Sequence, residues 1–477
     1  MFRILTLPFL LFLFVGSPKT EGAPNVLFIA IDDLRPELGC YGAHYAQTPF
    51  LDKFANSSVT FLKHYVQVAT CGASRYALLT GRSPKNSGAM KNNALYAGAT
   101  AIIEKELPGA QTMPELFRRS GYETILIGKI SHTPDGRVFS YDGKGDGRPE
   151  LPGAWNQLAT PMGHWKRGWG VFFAYSGGRH REDGGGHIDL LEFVAKKDTD
   201  LPDGLMAEAA IKKLKTLKKT AEPFFMGLGF FKPHLPFVAT TPDWDAFENT
   251  QIPAPADKHP FISPYRHGSG EFFKYKTPYQ KARPLSHQAT KTARRGYLAC
   301  VRYVDRQIGK VLNSLEDLGL KENTIVVIWG DHGWHLGDGQ QWGKHTPFEQ
   351  ANRSVLMIRA PGIQQGVRTH ALAETIDIYP TLIDLCKTGF NKTHHPLDGV
   401  SLVPLLKGKK DFVRSHAISY WRDAVSVRSD SHRLVIKVKN GDIANTELYD
   451  LRTNIDSVEN IAESHPGIVA DLAKCID

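Results

Sequence analysis

The sequence predicts an α/β fold, a large and mostly parallel sheet sandwiched by helices, with a smaller antiparallel α+β subdomain at the C-terminus. Three observations predict it. Four short apolar runs rich in β-branched residues recur along the chain: Asn25–Ile31, Thr124–Ile127, Phe224–Phe230 and Thr324–Trp329. Helical patterns such as Pro114–Ser120 and Gly296–Leu318 lie between them. After Leu406-Lys407-Gly408 the texture changes to short alternating segments joined by turns. Strands apolar on both faces and separated by helices belong to a parallel sheet covered on both sides.

Residues 1–22 read as a secretory signal peptide. Arg3 supplies a positive charge, Ile4–Val15 is an apolar run of 12 residues, and Gly16–Gly22 is small and polar, with Thr20 and Gly22 placed for a cut after Gly22. The apolar run is too short and wrongly flanked for a membrane span, although a retained anchor is the alternative, and no other stretch approaches the roughly 18 apolar residues of a spanning helix. Removal of Arg3, Lys19 and Glu21 takes the net charge from +9 to +8. The mature chain is expected to be exported, to a lysosome, the extracellular space or a periplasm.

Residues 23–408 then form the main domain and 409–477 the C-terminal subdomain, a division that suits 477 residues. Composition is that of a globular protein, 42% hydrophobic and 22% charged. This argues against a largely disordered chain, a collagen or a small disulfide scaffold. With 58 Lys+Arg against 49 Asp+Glu, the basic balance invites a polyanion: nucleic acid, anionic lipid or an acidic polysaccharide. Export sets nucleic acid aside. The densest basic run, Lys212–Lys219, interleaves with Ile211, Leu214 and Leu217 at helical spacing and reads as the wet face of an amphipathic helix. Sequons stand at Asn56, Asn352 and Asn391, and would carry glycans in a eukaryotic secretory pathway. Five cysteines, Cys40, Cys71, Cys300, Cys386 and Cys475, show no paired spacing, and an odd count in an exported chain leaves at least one for another task. Two Gly-, Pro- and aromatic-rich stretches, Thr133–Gly204 and Pro253–Pro284, read as long loops able to wall a pocket. Beyond residue 408, Ala417–Tyr420, Ala424–Arg428, Arg433–Val438 and Glu447–Tyr449 read as strands, followed by a helix near His465–Lys474.

Chemistry concentrates where strands end. Cys71 opens the run Cys71-Gly72-Ala73-Ser74-Arg75, and Ser74–Thr80 suits a short helix stopped by Gly81. The cysteine then sits at a helix N-terminus, which favours anions, and Arg75 shares its helical face. Asp32 and Asp33 end one strand and Asp331 another. Each fragment alone is an ordinary turn or cap, but three carboxylates converging on one crevice call for a cation, and oxygen donors suit Ca²⁺ or Mg²⁺. Cations and imidazoles recur in Gly128-Lys129-Ile130-Ser131-His132, Lys232-Pro233-His234-Leu235-Pro236 and Gly343-Lys344-His345. Lys129 and Asp331 directly follow strands, so both are expected at the carboxyl edge of the sheet, where such folds bind ligands.

The motifs NVLFIAIDDLRPELGCYG, CGASRYALLTGR, GYETILIGKISH, FKPHLPF, GDHGWHLGD with the following WGKH, and the closing ELYDLRTNIDSVENIA span about residues 25–465. In this order they resemble the formylglycine-dependent sulfatases of the alkaline phosphatase superfamily, and within them the iduronate 2-sulfatase branch. The resemblance implies a sulfuric ester hydrolase acting on a sulfated sugar or glycosaminoglycan. It implies that Cys71 is oxidised to formylglycine (3-oxoalanine) by a formylglycine-generating enzyme, the hydrated aldehyde being the nucleophile. Asp32, Asp33, residue 71, Asp331 and His332 would bind one Ca²⁺; Arg75, Lys129 and His132 would surround the hydrate; His234 and Lys344 would face the sulfate and the departing oxygen, with His234 as proton donor. Two residues depart from the pattern. Ala73 stands where the family's motif usually has Pro, and His332 stands where many sulfatases have Asn, nitrogen being a poor partner for a hard cation. A phosphomonoester or phosphodiester hydrolase of the same superfamily is the alternative, as is a sulfated-glycan-binding protein without turnover if Cys71 stays unmodified.

Overall fold

The structure, a computed structural model, describes residues 22–476 except 167, 221, 256–258, 266–269, 281–282, 440–441 and 455–456. The expected signal peptide, apart from Gly22, lies outside the described residues. No helix among them is long and apolar enough to cross a membrane.

Five strands run parallel at the centre, in the order Gln157–Leu158, Glu123–Gly128, Phe224–Phe230, Asn25–Ile31, Thr324–Gly330. Beside the last lies Leu356–Arg359, antiparallel to it. Val59–Tyr65 pairs antiparallel with that strand and parallel with Val367–Glu374. The sheet is therefore mixed at one side and parallel where the motifs sit. Alternation along Asn25–Ile31 divides the core: Leu27, Ile29 and Ile31 join one hydrophobic cluster, Val26, Phe28 and Ala30 the other. The first cluster is covered by helices Pro202–Leu217 and His287–Asp317, the second by Cys71–Thr80, Met113–Arg119 and Ile378–Cys386. Two-sided cover explains why these central strands read as unbroken apolar runs.

Within Pro202–Leu217, Leu214 and Leu217 are buried while Lys212 and Lys215 face solvent, so the basic run is largely the outer face of a helix. The stretch 133–204 is not wholly irregular, since it carries the strand Leu191–Ala195 and the start of that helix. The long helix begins at His287, nine residues before the expected Gly296, because Ser286 accepts the Ala289 N–H as its N-cap. At the C-terminus, Ala417–Trp421, Ala424–Arg428, His432–Lys439 and Asp442–Asp450 form a separate four-stranded antiparallel sheet, and helix Pro466–Ala473 packs on it through Ile468, Val469 and Leu472. Of the sequons, Asn56 and Asn391 are exposed, whereas Asn352 is 1% exposed at the end of a short helix and has no room for a glycan. All five cysteines are free thiols.

Candidate active site

The carboxyl ends of the parallel strands deliver the chemistry to one place. Asp32 and Asp33 follow Ile31, Lys129 follows Gly128, and Asp331 and His332 follow Gly330. Asp33 adopts a left-handed conformation, φ 62°, which turns its carboxylate back over the sheet edge. Its N–H donates to Asp331 Oδ1 at 3.0 Å, joining two strand ends.

Cys71 is the first residue of the buried helix Cys71–Thr80, which ends at Gly81 with φ 67°. Thr70 precedes it in extended backbone without capping through its own side chain; Asn92 Oδ1 instead accepts the Gly72 N–H at 2.9 Å. Residue 72 must be glycine here, because a Cβ would lie 2.1 Å from the Asn92 carbonyl oxygen. The thiol sits 3.3 Å from Asp32 Oδ1 and 3.4 Å from His332 Nε2, and receives the Lys344 ammonium at 3.1 Å. Burial, reinforced by Asp32, pushes this thiol up to about 11, so it is protonated and unreactive at neutral pH.

Three ion pairs frame the sulfur. Lys129 Nζ meets Asp32 Oδ2 at 2.6 Å, with Phe172 under the ammonium at 4.1 Å. Lys344 Nζ meets Asp33 Oδ1 at 2.6 Å. Arg75 Nε meets Asp331 Oδ2 at 3.0 Å, while Nη1 bonds the carbonyls of Lys129 and Ile130. Burial raises Asp32, but Lys129, His234 and Arg75 outweigh it and hold this carboxyl well below the usual range. Burial also pushes Asp33 well up, aided by Asp32 and opposed by Lys344. Burial works against both lysines, yet Asp32 keeps Lys129, and Asp33 keeps Lys344, above the ordinary lysine value.

His234 donates Nδ1–H to the Leu235 carbonyl at 2.7 Å and turns Nε2 toward Asp33 Oδ2 at 3.8 Å. Burial and Lys344 hold it well below the usual imidazole value, hence neutral. His132 is likewise held down by burial and Lys129; its ring packs on Trp169 and its backbone N–H donates to Glu150 Oε1 at 3.1 Å. The candidate site residues thus lie at this centre or its rim, His132 and His234 without a direct side-chain hydrogen bond to the others among the described residues.

Asp32, Asp33, Cys71 and His332 each offer one ligand atom, all within 4.8 Å of one another. These residues fit a divalent cation on three counts. Asp33 Oδ2 is buried without a hydrogen-bond partner. His332 donates Nδ1–H to the Gly333 carbonyl at 2.9 Å, leaving the Nε2 lone pair aimed at the cluster. A carboxyl raised by burial is relieved by a cation. Asp331 stands just behind this set, its Oδ1 3.6 Å from His332 Nε2, with both oxygens already bonded to Arg75 and the Asp33 N–H. His332, the less favoured donor on chemical grounds, is in the tight group, and Asp331, also expected as a ligand, borders it through that 3.6 Å approach.

Other contributors carried no motif: Asn92, which caps the cysteine helix; Glu150, which holds His132 and Thr133; and Tyr297, whose hydroxyl donates to the Asp33 carbonyl at 2.8 Å. A neutral-looking Asn, Glu or Tyr far along the chain gives no signal until the fold brings it in.

The chain is similar to known proteins over most of its length. The chain is 28% identical over 437 residues to iduronate 2-sulfatase of Mus musculus, covering 80% of this chain and 75% of that protein. Its fold matches the phosphonate monoester hydrolase from Silicibacter pomeroyi with a TM-score of 0.73 at 23% identity, over 95% and 94% of the two chains. It also matches a protein solved with its substrate D-glucosamine-2-N,6-O-disulfate, TM-score 0.67 at 21% identity, over 95% and 96%. The sulfatase family model covers residues 24–388, which take in every strand-end residue described above; the chain belongs to the sulfatase family and is a sulfuric ester hydrolase.

Proposed function

We propose that the enzyme removes sulfate from a sulfated acidic sugar or glycosaminoglycan, in the manner of an iduronate 2-sulfatase, with Cys71 converted to formylglycine and one Ca²⁺ beside it. The observation that carries this reading is the seat of the Cys71 sulfur, at a helix N-terminus and within 3.4 Å of Asp32, His332 and Lys344. A buried thiol at about 11 is a poor nucleophile. Oxidised by a formylglycine-generating enzyme and hydrated, the same position supplies one hydroxyl to attack sulfur and a second whose loss of a proton allows sulfate to leave, an exit that a simple ester lacks.

Asp32, Asp33, residue 71 and His332 would hold the cation, braced by Asp331, and the ion would supply positive charge against the sulfate oxygens. Charge balance favours this. Asp32, Asp33 and Asp331 are matched one for one by Lys129, Lys344 and Arg75, so a divalent ion tips the pocket positive, as an anionic ester requires. Arg75 keeps Nη2 without a hydrogen bond at zero exposure, a donor free to orient the nucleophile. Lys129 and Lys344 neutralise the ester. His234, neutral at rest with its proton on Nδ1, would first take a proton onto Nε2, which the incoming sulfate anion favours against burial and Lys344, and would then pass it to the departing sugar oxygen.

The likeness to iduronate 2-sulfatase, the neighbour solved with a sulfated glucosamine and the net charge of +9 support an acidic saccharide. Residues 1–22 serve in this reading as the export signal, 23–408 as the catalytic domain and 409–477 as its C-terminal subdomain, the enzyme working in a lysosome, outside the cell or in a periplasm. Mass analysis of the peptide containing residue 71, with rates on aryl sulfate and aryl phosphate, tests the proposal. An aldehyde and a preference for the sulfate are expected; an intact thiol in an active preparation, or faster phosphate release, overturns it.

A further inference from the structure

Beyond Lys344 the catalytic centre opens into a cavity of about 480 Å³ between the two long loops. Its walls are aromatic, with Tyr141 from one loop, Phe272 from the other, and Trp334 and Trp342 from the segment leading to Lys344. Aromatic faces with a few polar groups suit a sugar ring. Two of those polar groups lack partners. The Trp334 indole N–H is buried without an acceptor. The Lys274 ammonium makes no ion pair or hydrogen bond among the described residues. The cavity's other loop cation is already engaged: Arg181 bonds Glu182 at 2.8 Å and Glu271 at 2.9 Å and lies over Phe173.

Lys274 is also held in place. It belongs to Phe272-Phe273-Lys274-Tyr275, in which the three aromatic residues are 1%, 9% and 1% exposed and Lys274 alone is turned outward. Phe272 stacks on Trp342 with ring centres 4.6 Å apart, fastening this turn to the strand that ends one residue before Lys344. Lys274 thus brings a positive charge, without a partner among the described residues, on an anchored turn to the wall of the cavity that Lys344 also lines.

We propose that Lys274 is a specificity-determining residue that receives a second negative group on the sugar, a ring carboxylate or a second sulfate, while the reacting sulfate lies at Lys344 and residue 71. This assignment rests on the sulfatase reading above and names the part of the substrate that reading leaves open.

The test compares wild-type enzyme carrying the modified residue 71 with Lys274→Gln and Lys274→Glu on three substrates. These are a neutral aryl sulfate, a 2-sulfated uronide with a carboxylate, and a glucosamine bearing N- and 6-sulfates. KM is expected to rise about tenfold in Lys274→Gln, and further in Lys274→Glu, for the substrate whose second anion Lys274 reads, with aryl sulfate turnover unchanged. A rise on the uronide alone identifies a carboxylate, and a rise on the disulfated glucosamine alone a sulfate. Unchanged KM on both sugars, or an equal loss on all three substrates, overturns the assignment while leaving the sulfatase reading intact. Wild-type enzyme that cleaves no sulfate ester overturns both.

Discussion

Lys344 bonds Asp33 Oδ1 at 2.6 Å and reaches the Cys71 sulfur at 3.1 Å, so one ammonium serves a carboxylate of the cation cluster and the reacting position together. The two services pull apart on substitution. Lys344→Met keeps an unbranched apolar chain but removes the ammonium that lies 5.4 Å from the Trp334 ring centre. Asp33 is then freed for a cation, so Ca²⁺ affinity measured by calorimetry is expected to hold or rise. The sulfate loses a compensating charge, and kcat/KM is expected to fall by about 10²–10³. Loss of Ca²⁺ binding in this variant would show that Lys344 supports the ion instead of competing with it.

Cys71→Ser separates chemistry from architecture in the same centre. The helix start is held by Asn92 and by glycine at 72, neither of which depends on sulfur. Turnover is expected to vanish while thermal stability stays within about 1 kcal/mol of wild type, the change being small and its neighbours polar. Wild-type rates in this variant contradict the nucleophile assignment.

Asp331→Ala tests the brace behind the cation. Its carboxylate is fully buried and pairs with Arg75, which is also fully buried, so its removal leaves a charged guanidinium without that partner. Destabilisation of roughly 3–5 kcal/mol is expected, with loss of activity and of Ca²⁺ binding, because the Asp33 N–H loses its acceptor as well. Chemical denaturation and calorimetry read the two effects separately. A variant as stable and active as wild type places the cation elsewhere.

Asp32, Asp33, Lys129, Asp331 and His332 were legible in the sequence because they follow strands, Cys71 and Arg75 because they open a helix stopped by Gly81, and His132, His234 and Lys344 only as members of short motifs. Asn25–Ile31 and Phe224–Phe230 match the apolar runs residue for residue, since burial on both faces leaves no polar interruption to blur their ends. Val59–Tyr65 went unread because Lys63 and His64 break its pattern, the first reaching Asp430 at the surface and the second buried against Ser354 and Thr375. The antiparallel run of Leu356–Arg359 left no mark either, since direction is set by what the strand pairs with. Long-range polar links were equally silent. Glu349 takes Arg428 at 3.1 Å and Arg433 in full burial, and Ser419 and Tyr420 bond the backbone of Val66 and Gln67, tying the C-terminal sheet to the segment that leads into Cys71. Loop residues such as Arg181 and Lys274 acquire meaning only from the aromatic packing that places them.

Asp305, away from the catalytic centre, sets a pH dependence of stability. It sits on the long helix and accepts the N–H groups of Phe50 at 3.2 Å and Leu51 at 2.7 Å, capping the helix Pro49–Ala55. Burial raises its carboxyl from 3.8 to about 7, the two backbone donors only partly opposing it. A folded value above the unfolded one favours the protonated form in the fold. The resulting stabilisation is complete below about pH 4 and is lost as pH rises through 7, amounting to roughly 1.4 kcal/mol per unit and about 4 kcal/mol in all. Asp305→Asn keeps a carbonyl acceptor but cannot ionise. Its stability relative to wild type is therefore expected to climb by about 2–3 kcal/mol between pH 5 and pH 7, measured by urea unfolding at each pH. Parallel profiles for the two proteins would mean that Asp305 is ionised in the fold throughout, with the backbone donors outweighing burial.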